Sequence, residues 1–195
     1  MAKLENFFVW ATRVLVVGML GYGIWHMVAG SPKAARYIIA GALVVTLVLV
    51  VSRFANKLVP SWLLLFIAAF MVLASAVGFG YNMYEKWWSW DDLMHGISGF
   101  LFGLVGVMLV ERMSAIWSPK LPVWVRICLA TIFAVFIATF WELLEFASDL
   151  FLGSYLQQAD LYDTMVDLWL GSIWGLVSVA SYYAVMRLRE TRTIR

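Results

Sequence analysis

The sequence has few of the residues on which soluble domains depend. Only 13% of its 195 residues are charged, and it contains 4 prolines, 2 histidines and 1 cysteine. Soluble domains carry about 25% charged residues, and a soluble domain of this size could not bury the 64% of hydrophobic residues found here. The single Cys128 excludes an intrachain disulfide. A disordered chain, a disulfide scaffold and an ordinary cytosolic enzyme are therefore excluded, and a net charge of +2 is too small to indicate nucleic-acid binding.

The sequence is instead rich in long apolar stretches. About 20 apolar residues suffice for a helix to cross a bilayer. Six stretches cover roughly residues 8–29, 36–52, 62–84, 92–110, 122–141 and 166–186. They predict an all-α, polytopic transmembrane bundle of about six helices, forming a single integral membrane domain over residues 1–195. The first stretch is a poor signal peptide, because Arg13 interrupts it and its apolar run is long.

The charged residues between the stretches predict the orientation of the bundle. Six helices place both termini on one side, and most of the 14 lysines and arginines fall on that side. Because cytoplasmic loops are rich in lysine and arginine, both termini are predicted to be cytoplasmic. Most of the 12 acidic residues, together with His26 and His95, then fall on the extracytoplasmic side. His26 has no partner pattern and is interpreted as interfacial.

Rows of small residues indicate which helix faces meet, because helices in membranes pack through small side chains. The row on the fourth stretch consists of Gly96, Gly99, Gly103 and Gly106, and it could equally serve a homodimer. The fifth and sixth stretches carry similar rows. Extended by whole turns toward the extracytoplasmic side, the three rows reach or adjoin ionisable residues: Asp92 and His95, Glu142 and Glu145, and Asp163 and Asp167.

Local structure alone could also account for these side chains. Asp92 and Asp167 each follow a serine or threonine by three residues, as in a capping box, where the helix dipole favours an acid. Glu142 and Glu145 lie at the C-terminal end of their predicted helix, where the dipole disfavours anions, so exposure to water is their alternative. For His95 the alternative is a hydrogen-bonded histidine in the helix core.

If the six groups lie at one depth, they repel one another unless a cation joins them. Carboxylates with one imidazole suit Mn, Mg, Zn or Fe, and pairs spaced by three residues place two ligands on one helix face. Such a metal could activate water or polarise a phosphoryl or carbonyl oxygen. The predicted metal ligands are Asp92, His95, Glu142 and Asp167, and the predicted general base is Glu145 or Asp163.

Three segments resemble the YjdF-like family of bacterial inner-membrane proteins. They are WDDLMHG from Trp90 to Gly96, FWELLEF from Phe140 to Phe146, and DTMVDL from Asp163 to Leu168. The resemblance implies a multi-pass protein of the bacterial inner membrane and supports the choice of site residues, but it implies no substrate. A more distant similarity to the VanZ-like family fails at Leu93, Glu145 and Gly171, so no glycopeptide-related role is implied.

Three functions are compatible with these features. The first is hydrolysis or transfer at a metal site, acting on a lipid or another envelope intermediate. The second is a cation- or proton-coupled transporter that uses the same acids. The third is a structural membrane partner in which the acids only cap helices and bind water.

Overall fold

The computed structural model describes residues 2–54, 59–117, 121–154, 156–157 and 161–193. Within these ranges the chain forms seven α-helices and one π-helical segment, and no described residue lies in a strand. The helices are α1 Ala2–Val28, α2 Pro32–Phe54, α3 Ser61–Met71, α4 Met83–Lys86, α5 Trp90–Trp117, α6 Val123–Leu152 and α7 Leu161–Thr193. The π-helical segment, Val72–Gly80, continues α3 directly.

Within the described ranges, six helical segments are long and apolar enough to cross a membrane. Five are formed by α1, α2, α5, α6 and α7, and α3 together with the π-helical segment forms the sixth, Ser61–Gly80. The predicted all-α bundle with about six spans is therefore confirmed. The cytoplasmic position of the termini stays a prediction.

The chain divides into two compact units, Met1–Met94 and His95–Arg195. In the first unit, α1, α2, α3 and the π-helical segment pack around a core of small and branched side chains. Its buried members are Val16, Met19, Ile38, Ala42, Val45, Ala68 and Ala76. This unit also contains an aromatic contact between Tyr37 and Phe79, whose ring centroids are 3.9 Å apart. The predicted single domain stays a prediction.

The second unit packs α5, α6 and α7 through the predicted rows of small residues. A Cβ atom added at Gly103 would lie 2.6 Å from the carbonyl oxygen of Gly175, and one added at Gly175 would lie 2.7 Å from Ala134 Cβ. A Cβ atom at Gly106 would lie 2.7 Å from the carbonyl oxygen of Ala130. These separations leave no room for larger side chains, so the assignment of the small-residue rows to helix contacts is confirmed.

Two differences between the helix ends and the predicted boundaries change the interpretation of site residues. Helix α6 continues to Leu152, so Glu142 and Glu145 lie inside the helix, and their predicted position at its C-terminal end was wrong. The apolar run stops at the first acid, but no proline or glycine interrupts the backbone until Gly153. Helix α7 already begins at Leu161, so Thr164 is an internal residue and the capping-box interpretation of Asp167 was also wrong.

An ion pair and a tyrosine hydrogen bond together join α5, α6 and α7 near the C-terminal end of α5. Arg126 Nη1 lies 2.9 Å from Glu111 Oε2, and Arg126 Nε donates a hydrogen bond of 2.9 Å to the carbonyl oxygen of Leu121. The Tyr183 hydroxyl donates to Glu111 Oε1 at 2.5 Å. Because a charge near lipid is costly unless it is paired, this network provides each charged group with a partner.

The closest helix contact provides a test of this packing. We expect Gly99→Ala to lower the thermal stability of the protein, because the new Cβ atom would meet the backbone of Gly171, whose carbonyl carbon lies 2.8 Å away. Overpacking of this kind costs about 1–3 kcal/mol. The matched control is Gly18→Ala, where the added Cβ atom has no described atom within 4 Å apart from the neighbouring residues and backbone of its own helix. Thermal unfolding in detergent measures both variants, and equal midpoints for the two would contradict the packing described here.

Candidate metal centre

His95 lies at the centre of a buried ionisable group in the second unit. Its side chain projects from α5, and the residue is 5% exposed. Its Nδ1 atom lies 3.6 Å from Glu142 Oε1 on α6, and its Nε2 atom lies 3.9 Å from Asp167 Oδ2 on α7. Glu142 and Asp167 are 5% and 2% exposed. Each nitrogen of the imidazole therefore faces a buried carboxylate from a different helix.

Glu145 adds a second carboxylate from α6. One ligand atom each from His95, Glu142 and Glu145 lies within 4.8 Å of the others, a spacing compatible with a bound metal ion. Glu145 is half-buried, and its Oε1 atom accepts a hydrogen bond of 2.9 Å from Trp141 Nε1. The indole thus restricts the conformations of the Glu145 side chain while its carboxylate stays near the imidazole.

The segment after α6 turns back because of one carboxylate, that of Asp149. The helix ends where Gly153 adopts the left-handed conformation, with φ 60° and ψ 41°. Asp149 Oδ1 then accepts hydrogen bonds from Ser154 Oγ at 2.5 Å and from the backbone N–H of Leu156 at 2.6 Å. Asp149 Oδ2 accepts another from the backbone N–H of Gln157 at 2.9 Å. These bonds hold Ser154, Leu156 and Gln157 beside the C-terminal end of α6.

The returning segment places an amide beside Glu142. Gln157 Nε2 donates a hydrogen bond of 3.1 Å to the backbone carbonyl oxygen of Glu142 and lies 3.5 Å from Glu142 Oε2. Asp149 and Gln157 were not among the residues selected from the sequence. Their hydrogen bonds form only when the connection between α6 and α7 folds back. The polar character of that connection was the only feature of the sequence that indicated them.

A cleft of about 470 Å³ lies against Glu142. Its polar lining comes from Glu142, Gln157, Thr139 and Thr164, and its apolar lining is formed by Leu143, Phe146, Leu161 and Leu168. A largely apolar cleft with a few polar groups is typical of a small-molecule site. Glu142 is therefore the acid of this group that borders a space that an apolar ligand can occupy.

The structure brings together four of the six residues selected from the sequence: His95, Glu142, Glu145 and Asp167. Asp92 and Asp163 are half-buried, and neither belongs to a compact metal-compatible group among the residues that the structure describes. The roles assigned to all six residues stay predictions.

Comparison with known proteins adds a family but no activity. Residues 9–188 match the family model described as predicted membrane protein DUF2238. The chain belongs to this family. An uncharacterized protein of Thermotoga maritima is similar, with 26% identity over 156 residues, which cover 80% of this chain and 71% of that protein. No solved structure matches. The resemblances to the YjdF-like and VanZ-like families stay predictions.

The hydrogen bonds that Asp149 accepts from the segment after α6 provide a test of how that segment is held beside Glu142. We expect Asp149→Ala to release Ser154, Leu156 and Gln157, because two backbone N–H groups and one hydroxyl lose their acceptor. Each lost hydrogen bond to a charged group costs about 1.5–3 kcal/mol. Amide hydrogen exchange at Leu156 and Gln157 should then be faster by at least about tenfold. Asp149→Asn, which keeps one carbonyl acceptor, is the graded control, and unchanged exchange in Asp149→Ala would contradict the assignment.

Proposed function

We propose that the group around His95 is a divalent-metal centre, and that it supports hydrolysis or group transfer on a lipid or another envelope intermediate. If both termini are cytoplasmic, as the distribution of lysine and arginine predicts, the site faces the extracytoplasmic side of the bacterial inner membrane. The observation that supports the proposal most strongly is the position of one buried imidazole between the carboxylates of Glu142 and Asp167, with Glu145 nearby.

The spacing of the donor atoms supports a metal. The 3.6 Å between His95 Nδ1 and Glu142 Oε1 exceeds an ordinary hydrogen bond. Two ligands that bind one metal at about 2.0–2.2 Å lie roughly 3.0–3.5 Å apart, so a small adjustment would suffice. Nitrogen and oxygen donors of this kind suit Mn, Fe, Zn or Mg. The buried acids would also gain the cation that offsets their repulsion.

The geometry suggests a division of roles. His95, Glu142 and Glu145 would hold the metal, and Asp167 at the other ring nitrogen would fix the tautomer and the orientation of the imidazole, as carboxylates do beside metal-bound histidines. The sequence alone predicts another division of roles. In it, Asp92 and Asp167 bind the metal directly, and Glu145 or Asp163 is the general base. This division is kept as the alternative within the same proposal.

The cleft supports an apolar substrate. Its leucine and phenylalanine lining would accept an acyl or prenyl chain, while Gln157 and the two threonines offer hydrogen bonds to a polar head. When bound, the metal would polarise a phosphoryl or carbonyl oxygen or lower the pKa of a water molecule. A carboxylate beside it would accept the proton of that water. These features favour a substrate that carries both a lipid chain and a hydrolysable ester.

Metal analysis of the purified full-length chain tests the centre. We expect about one equivalent of a divalent metal in the wild type. His95→Gln and Glu142→Gln should each lower the metal affinity by at least tenfold, because loss of a residue that merely orients a ligand already costs about 10–100-fold, and loss of a ligand itself costs no less. Glu85→Gln, an exposed acid of the first unit, is the matched control and should keep the metal. Equal, near-zero metal in all four proteins would overturn the centre.

Catalysis has its own readout in the same proteins. Proteoliposomes made from bacterial polar lipids should release a water-soluble head group, with dependence on added metal and on Glu142. Metal binding without any release would retain the centre and reject hydrolysis of these lipids.

A proton-coupled carrier is the second candidate, because each ring nitrogen of His95 faces a carboxylate. An imidazole in that position can pass a proton from one acid to the other. Proteoliposomes that contain a pH-sensitive dye distinguish this candidate from the first. Proton flux that is lost in His95→Gln but unaffected by metal chelation would favour the carrier, and no flux in the wild type would reject it.

A further inference from the structure

We infer that the first unit contains a binding site for a phosphate group at the turn between α1 and α2. This site does not depend on the metal centre, since its residues all lie within Met1–Met94. The inference rests on a cavity of about 410 Å³ that is lined by His26, by residues 30–32, by Lys33 and Arg36, and by Asn82 and Glu85 across from them.

The turn places the beginning of a long helix at this cavity. Gly30 adopts a φ of 83°, and the N–H of Ser31 donates to the carbonyl oxygen of His26 at 2.9 Å. Helix α2 then starts at Pro32 and runs for 23 residues. Because proline has no N–H, Lys33 and Ala34 carry the first backbone donors of the helix, and both line the cavity. A helix N-terminus of this length favours anions.

His26 supplies the second, independent observation. It is 6% exposed, and neither ring nitrogen has a hydrogen-bond partner among the residues that the structure describes. The rings of Tyr22 and Trp25 lie edge-on against it, at centroid distances of 4.6 Å and 4.8 Å. A buried polar group without a partner is costly and rare in native proteins. His26 lines the cavity, and a rotation of its ring toward an anionic oxygen there would give the imidazole an acceptor or a charge partner.

The charges around the cavity favour an anion. Lys33 and Arg36 are exposed, and neither forms an ion pair within the described part of the chain. Lys86, although near in sequence, is outside the cavity lining, and its ammonium group donates to the carbonyl oxygen of Tyr81 at 2.6 Å. A guanidinium, an ammonium and a helix N-terminus together match the oxygens of a phosphate. Glu85 is the one acid in the lining, and its charge opposes the anion.

Neighbouring aromatic side chains suggest a lipid as the source of the phosphate. Tyr22 and Trp25 stack at 5.7 Å, and Tyr81 lies 6.2 Å from Tyr22. Such aromatic rings concentrate where a bilayer meets water, which is also the depth of the phosphates of lipid head groups. A soluble phosphate compound would use the same donors, so the test separates the two sources.

Titration calorimetry on the full-length chain in detergent tests the site, with inorganic phosphate and a short-chain phosphatidic acid as the two probes. Binding of the lipid alone identifies a membrane lipid as the ligand, and binding of both probes identifies the phosphate as the shared determinant. Binding of inorganic phosphate alone identifies a soluble anion. If the wild type binds neither probe, the inference is overturned.

Charge variants show whether that binding uses the proposed residues. We expect Lys33→Gln and Arg36→Gln each to weaken binding by about tenfold or more, as the loss of one charge-assisted hydrogen bond does. Glu85→Gln should tighten binding, because it removes the opposing charge. Lys86→Gln is the matched control, an exposed cation outside the lining, and should change affinity by less than about twofold. Equal affinity in wild type, Lys33→Gln and Arg36→Gln would overturn the site.

Discussion

The close approach of α5, α6 and α7 is the constraint on which the candidate metal centre depends. Gly99 packs against the backbone of Gly171, and Gly175 packs against Ala134, so the three helices meet with almost no side chain between them. At this separation, ionisable side chains one or two turns further along the same faces meet one another rather than lipid. The burial of His95 beside Glu142 follows from this packing.

Two clusters of ionisable side chains among the described residues of the second unit differ in their balance of positive and negative charge. Glu111 is paired with Arg126 and bonded to Tyr183, so that group has both signs of charge. His95, about 24 Å away along α5 at 1.5 Å per residue, faces acids from both neighbouring helices. A cluster with positive and negative charges can serve a purely structural role, because each ion has a partner of opposite charge. A surplus of buried acids around one imidazole destabilises the fold unless a cation binds there, which is the property expected of a cation site.

The sequence predicted the spans and helix faces well, because apolar length and the spacing of small residues are local signals. It was wrong about the end of α6, since an apolar run stops at Glu142 while a helix stops at a backbone breaker such as Gly153. It could not predict that Asp149 folds a loop back onto Glu142, since those partners meet only through tertiary structure. His26 was interpreted as interfacial, and only the packed turn shows that its ring is buried.

The proposed centre requires that His95 bind a metal together with carboxylates of α6. Electron spin echo spectroscopy of the full-length chain loaded with Mn²⁺ tests it most directly, because the method detects nitrogen bound to the metal. We expect a nitrogen coupling from one imidazole in the wild type, which is lost in His95→Gln and retained in His26→Gln. Bound Mn²⁺ without nitrogen coupling, or a coupling that persists in His95→Gln, would contradict it.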